Sequence, residues 1–169
     1  MTEPSYRGTS HTGTGEAAAP RNVGGLLPTF RVKTGSWSTQ LPDGHMRIGI
    51  SRGTPRFGVG KDLRLYRKLN PGPWFNRVGT AEYLERYQAE VLDRLDPAQT
   101  LAEIEALARG RIPVLCCFEK VGTGQWCHRA LVARWLAGSL GIRVPEIAHE
   151  KLPQDRHPLL PPELRREQG

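Results

Sequence analysis

The feature that most restricts the fold is a continuous apolar run at residues 112–118, with Gly110 shortly before it and Glu119 directly after it. A run of this length that is apolar at every position is typical of a strand with both faces buried, as in a sheet covered by helices. Pro113 is compatible with a strand because it lies at the start of the run. We therefore expect a buried strand here.

Strand-like and helical segments alternate along the rest of the chain, and there is no internal repeat. Short β-forming segments predict strands, and apolar residues at helical spacing predict helices, in the order strands 29–37 and 47–51, helices 82–95 and 97–107, helix 127–140 and strand 142–147. Residues 53–79, which are rich in Gly, Pro and Arg, predict a long loop. Asp96, Pro97 and Gln99 provide the capping sequence of the second helix. This alternation predicts an α/β fold, a three-layer domain with a small, mostly parallel sheet flanked by helices.

Composition divides the chain of 169 residues into three parts. Residues 1–28 hold few large apolar side chains and predict a disordered leader. Residues 29–150 are expected to form a single α/β domain, and residues 151–169, with their prolines and mixed charge, an exposed tail. The leader lacks the apolar segment of a signal peptide, and no run approaches 18 apolar residues, so we expect a cytoplasmic protein without a membrane partner.

The three cysteines all lie within residues 116–127. An odd number in so short a stretch does not suit a disulfide framework and predicts reduced thiols in the cytoplasm. Cys116 and Cys117 are adjacent on the predicted strand, so their side chains should point to opposite faces. For that reason, and because no CxxC spacing is present, we expect no metal site, and no segment predicts a bound cofactor.

The formal net charge is +7, and residues 47–77 account for all of it, with eight basic residues against the single acid Asp62. A dense basic segment indicates an anionic partner, such as a nucleotide, a phosphate ester or a nucleic acid. A solvated surface without a ligand would have the same composition. Trp74 lies among these charges, near Tyr66 and Phe75, and is a candidate for stacking on a base.

Polar residues are expected to meet at the carboxyl ends of the strands, where open α/β sheets bind ligands. Ser51 and Arg52 end the second predicted strand, and Cys127, His128 and Arg129 open the third predicted helix. A cation at a helix N-terminus opposes the helix dipole, and a bound anion would compensate for it. Arg129, Arg52 and Ser51 are therefore predicted ligands of an anion.

Glu119, Cys127 and His128 are the predicted catalytic residues. Cys127 could be a nucleophile with a lowered pKa, or a small buried residue that packs the start of the helix. The arginine that a cysteine phosphatase needs six residues later is absent, because Ala133 occupies that position. Glu119 could be a general base, a carboxylate that binds a ribose or an amine, or the ion-pair partner of Lys120 or Arg129. His128 could be a general acid–base or a solvated residue of the first helical turn.

These segments together resemble the bacterial and archaeal family called domain of unknown function 488. The resemblance covers about residues 29–147 and rests on residues 48–53 (IGISRG), residues 83–96 (YLERYQAEVLDRLD) and the motif Cys117-x-Glu119 followed by Cys127-His128-Arg129. It implies a cytoplasmic α/β domain with its site at this motif, and it implies no particular reaction.

The patterns favour an enzyme, a transferase or a hydrolase, that acts on a nucleotide or another phosphorylated small molecule. Arg52, Arg129 and the helix N-terminus would bind the anion. Glu119 and His128 would transfer protons, and Cys127 would assist or attack. The alternative is a non-catalytic module that senses a nucleotide or binds nucleic acid through residues 47–77.

Overall fold

The computed structural model describes residues 29–165 of the chain. The predicted leader, 1–28, and the last four residues of the predicted tail lie outside the described residues. No helix within the described range is long and apolar enough to cross a membrane.

Within residues 29–165 the sheet has four parallel strands, β1 (Lys33–Ser36), β2 (His45–Gly49), β3 (Leu63–Leu65) and β4 (Ile112–Cys117), in the order β1-β4-β2-β3. The predicted buried strand is confirmed as β4, which lies between β1 and β2 and is buried at every residue after its first. The predicted α/β class with a parallel sheet is confirmed as well.

The described part of the chain has three α-helices: α1 (Thr80–Glu90) and α2 (Pro97–Ala108) between β3 and β4, and α3 (His128–Leu140) after β4. The predicted cap of α2 is confirmed, since the Asp96 carboxylate accepts a hydrogen bond of 2.7 Å from the Gln99 backbone N–H. At the end of α3, Gly141 has φ 66°, a left-handed conformation that favours glycine. Single 3₁₀ turns occur at Arg67–Leu69, Leu92–Arg94, Gln154–Arg156 and Pro162–Leu164.

The main apolar core joins all three helices to one face of the sheet. From the sheet it includes Met46, Ile48 and Leu115, and from the helices it includes residues such as Tyr87 and Ile104, all within 1% of full burial. A smaller cluster, formed by Trp37, Val114, Cys116 and Ile147, contains no helical residue. All three helices thus contribute to the main core, while the cluster around Trp37 is covered by irregular segments.

Two predictions of secondary structure need correction. The region 53–79 is not entirely a loop, because its residues Leu63–Leu65 form β3 along β2. The predicted strand at 142–147 is reduced to one bridge between Thr34 and Glu146. Both differences concern very short pairings at or near a sheet edge, for which a few residues of pattern are too little evidence.

Part of the predicted exposed tail is buried in the structure. His157, Leu159 and Leu160 are at most 3% exposed, and the last two belong to a cluster with Cys117 and Cys127. The Leu159 carbonyl also accepts a hydrogen bond of 3.0 Å from the Cys127 N–H. The two leucines bury apolar surface. The sequence did not indicate this burial, because the composition of the segment around them is that of an exposed tail. The segment after residue 150 therefore supports the start of α3.

Candidate functional site

A cavity of about 590 Å³ lies at the carboxyl ends of β2 and β4. These strands are parallel neighbours, so the chain leaving each of them arrives at the same edge of the sheet. Ser51 and Arg52 line the cavity from β2, Cys117 and Glu119 from β4, and the first residues of α3 complete it. A second cavity, of about 420 Å³ and lined mainly by α1 and α3, contains none of the predicted site residues.

Arg52 lines the cavity and is exposed. Its Nη1 donates a hydrogen bond of 3.0 Å to the Pro71 carbonyl, the only hydrogen bond of this guanidinium to the residues 29–165. Ser51 has a different role, because its hydroxyl donates to the Gly53 carbonyl at 2.6 Å and accepts from the Trp37 indole at 2.9 Å. Arg52 is thus available to a ligand, whereas Ser51 mainly shapes the loop.

Glu119 and several aromatic rings form much of the remaining wall. Glu119 is half-buried, and Phe75 and Phe118 are exposed enough for a ligand to reach them. Tyr83 and Trp126 also line the cavity and pack edge to face, with ring centroids 4.8 Å apart. Burial raises the pKa of Tyr83, and the negative charge of Glu119 raises it further, so this phenol stays protonated. The wall therefore combines a carboxylate with aromatic surface.

His128 is buried, so the solvated alternative is wrong, and its ring turns inward from the first turn of α3. Its Nε2 lies 3.0 Å from the Ile50 carbonyl, which can only accept, so Nε2 carries the hydrogen. Burial lowers the pKa of His128, and the charge of Arg129 lowers it further. The hydrogen bond to Ile50 raises the pKa, but the net result is a pKa of about 4. The ring is neutral at pH 7, and its Nδ1 lies 3.8 Å from the Cys127 sulfur.

Cys117 and Cys127 form a disulfide bond, so the prediction of three reduced thiols is wrong. The loop 118–126 turns back on itself and returns Cys127 to the end of β4, which neither the odd number nor the close spacing of the cysteines indicates. The predicted divergence of Cys116 and Cys117 is confirmed, because Cys116 is a free thiol in the cluster on the other side. Burial raises the pKa of Cys116 to about 11, so it stays a thiol.

Arg129 does not line the cavity, in contrast to its predicted role as an anion ligand. It has no exposed surface, and its Nε and Nη2 donate to the two carboxylate oxygens of Glu146 at 3.1 and 2.7 Å. Nη1 donates to the Glu119 carbonyl at 2.7 Å and to the Cys117 sulfur at 3.2 Å. The anion that compensates this cation at the helix start is therefore a carboxylate of the protein itself.

Glu146 is the residue of this site that the sequence analysis missed. Burial alone would raise its pKa, but hydrogen bonds from His157, Arg129 and Thr34, with the charge of Arg129, lower the pKa to about 2. A signal was available, because Glu146 lies among apolar residues in the segment 144–147 (VPEI), and Arg129 opens a largely apolar helix. Two opposite charges in buried sequence contexts indicate a pair.

Trp74 is a core residue rather than a ligand-stacking residue, which corrects its prediction. It is 7% exposed, and its indole N–H donates to the Glu90 carboxylate at 2.8 Å. Its ring packs edge to face on Tyr83, behind the cavity wall. The aromatic rings that do reach the cavity include those of Phe75 and Phe118.

Three potential metal ligands lie together at the edge of the cavity. One ligand atom from each of Cys117, Cys127 and His128 lies within 4.8 Å of the other two, and all three residues are buried. No other group of three or more such side chains was found among residues 29–165.

Comparison with known proteins gives one family. The sequence model of Domain of unknown function DUF488 matches residues 46–136, more than half of the chain. This range includes all but the first residue of β2, the whole of β4 and most of α3. Neither the curated proteins nor the solved structures contain a match to the chain. The matched range holds both the cavity and the motif from Cys117 to Arg129, and the chain belongs to the DUF488 family.

Proposed function

We propose that the protein is an enzyme that binds a nucleotide or a similar phosphate ester in the cavity between β2 and β4. The observation that carries the proposal is the composition of the wall, in which the exposed guanidinium of Arg52, the carboxylate of Glu119 and aromatic rings face one space of about 590 Å³. A volume of this size is typical of small-molecule sites.

Each part of the wall suits a part of such a ligand. The free N–H groups of Arg52 can form two parallel hydrogen bonds with phosphate oxygens, which a guanidinium does better than an ammonium group. Phe75, Phe118 and Trp126 line the cavity with apolar ring surface on which a base can stack. Such stacking tolerates any of the bases, because each has a π-face. Together they favour a nucleotide over inorganic phosphate.

Glu119 is the proposed proton-transfer group, because its side chain lines the cavity and makes no hydrogen bond to residues 29–165 that would compete with a substrate. His128 is a weaker candidate than the sequence suggested. Its Nε2–H is used by Ile50, and its Nδ1 faces Cys127. A nucleophilic Cys127 would first need reduction of its bond to Cys117.

Binding of a ligand panel tests the proposal directly. We expect one of ATP, ADP, AMP, GTP or an equivalent nucleotide to bind the reduced protein in isothermal titration calorimetry, more tightly than inorganic phosphate. Arg52→Gln should weaken this binding about 10- to 100-fold, the effect of losing a charge-assisted hydrogen-bond pair. Arg56→Gln removes the same charge from an exposed position outside the cavity wall and should change the affinity less than threefold.

A second candidate function is a module that binds nucleic acid or senses a nucleotide without catalysis. It is supported by the exposure of several basic residues of the segment 47–77, namely Arg52, Arg56, Lys61, Arg67 and Arg77. Binding of this kind would weaken steeply with salt, in proportion to the phosphates contacted. It would also respond equally to Arg52→Gln and Arg56→Gln, a result that would reject the cavity as the site.

A further inference from the structure

We infer that Cys117, Cys127 and His128 bind a divalent metal ion, with zinc favoured, when the disulfide is reduced. The inference deepens the proposed function, since these residues border the same cavity, but metal binding can be measured without any nucleotide. Two thiolates and one imidazole are a donor set that suits zinc, and three protein ligands leave a fourth position for water or substrate.

The distances between the donor atoms fit this assignment. Zinc bonds of about 2.3 Å to sulfur and about 2.0 Å to nitrogen, at a tetrahedral angle, put the two donors about 3.5 Å apart. The Cys127 sulfur and the His128 Nδ1 are 3.8 Å apart. Two zinc–sulfur bonds of about 2.3 Å at the same angle need sulfurs about 3.8 Å apart. The Cα atoms of Cys117 and Cys127 are 7.6 Å apart, a spacing from which the two side chains can reach that separation once the disulfide is reduced.

The surroundings of the donors are those of metal ligands. A histidine that binds a metal through one ring nitrogen commonly donates its other N–H to a backbone carbonyl, and His128 donates from Nε2 to the Ile50 carbonyl at 3.0 Å. This bond leaves the lone pair of Nδ1 for the ion. Both sulfurs also accept N–H groups of Arg129, Cys117 from the guanidinium at 3.2 Å and Cys127 from the backbone at 3.5 Å. Such donors stabilise thiolates.

The charge balance also favours the ion. Reduction by a thiol or a phosphine delivers two electrons and two protons to the disulfide and yields two thiols. Binding of a divalent cation releases these two protons and leaves two thiolates, so the buried cluster is neutral. The positive charge of Arg129 is balanced separately by Glu146. Because Cys117, Cys127 and His128 all line the cavity, the fourth position would face a bound substrate beside Glu119.

Cobalt titration of the metal-free, reduced full-length chain tests the inference. Co²⁺ bound by two thiolates gives intense sulfur-to-metal charge-transfer absorption, so the spectrum of the wild type itself reports the ligands. We expect one Co²⁺ per chain, displaced by one equivalent of Zn²⁺, and no such absorption with the oxidised protein. Reduced protein that binds neither ion, or oxidised protein that binds equally well, would overturn the inference.

Variants then show which side chains bind the ion. Cys117→Ser, Cys127→Ser and His128→Gln should each weaken Zn²⁺ binding by at least about 100-fold, the upper range for changes to the groups that support a ligand. Cys116→Ser is the matched control, since this buried thiol lies on the other side of the sheet, and it should keep one ion per chain. Arg52→Gln should also keep the ion. If the wild-type protein binds the metal ion but none of the nucleotides, only the proposed function is contradicted.

Discussion

Replacing Arg129 with methionine should lower the free energy of unfolding by about 3–5 kcal/mol, because it leaves the Glu146 carboxylate buried without its cation. Removal of Arg129 also deprives the Glu119 carbonyl and the Cys117 sulfur of a donor, at the point where β4 ends. Urea unfolding in reducing buffer, followed by circular dichroism, measures the change.

Two further variants give this measurement its controls. Arg134→Met makes the same substitution at an exposed position of the same helix and should change stability by less than about 0.5 kcal/mol. Combining Arg129→Met with Glu146→Gln removes both buried charges, and should be at least about 1 kcal/mol more stable than Arg129→Met alone. A loss below 1 kcal/mol for Arg129→Met would show that the pair does not hold the helix start.

Glu119→Gln should reduce turnover of the bound nucleotide about 100- to 10,000-fold, the usual contribution of a positioned general acid or base. Glutamine keeps the size of the side chain, and the backbone carbonyl that accepts from Arg129 is unchanged. We therefore expect the affinity for the nucleotide to change less than threefold. Product formation is followed by phosphorus NMR with the nucleotide that binds most tightly.

Glu85→Gln, on the exposed surface of α1, is the matched control and should turn over at the rate of the wild type. A Glu119→Gln variant that also keeps the full rate would remove Glu119 from the mechanism. Binding without turnover by the wild type would instead favour the non-catalytic module.

Local patterns predicted the parts of the fold that depend on local chemistry. The strand β4 was evident from its unbroken apolar run, α2 from its Asp96 cap, and the end of α3 from Gly141. The position of the candidate site could also be proposed from the sequence, because the carboxyl ends of parallel neighbours meet wherever such a sheet forms. The sequence did not show which strands are neighbours. The structure shows this in the strand order β1-β4-β2-β3.

The parts that the sequence did not predict depend on contacts between distant residues. Arg129 was expected to face a ligand because local rules count only its own helix, whereas its partner Glu146 is 17 residues away. The pairing of Cys117 with Cys127 required the course of the intervening loop. Leu159 and Leu160 are buried although the composition of their own segment is that of an exposed tail. Tertiary contacts decide each case.

The most direct test of the central claim is to map where the nucleotide binds. Amide chemical shifts of the ¹⁵N-labelled, reduced protein are recorded as the tightest-binding nucleotide is added. The account predicts the largest shifts at residues 51–53, 117–119 and 126–128, around the cavity, with saturation at one ligand per chain. Shifts confined to the basic residues 56–68, or no shifts at millimolar nucleotide, would contradict it.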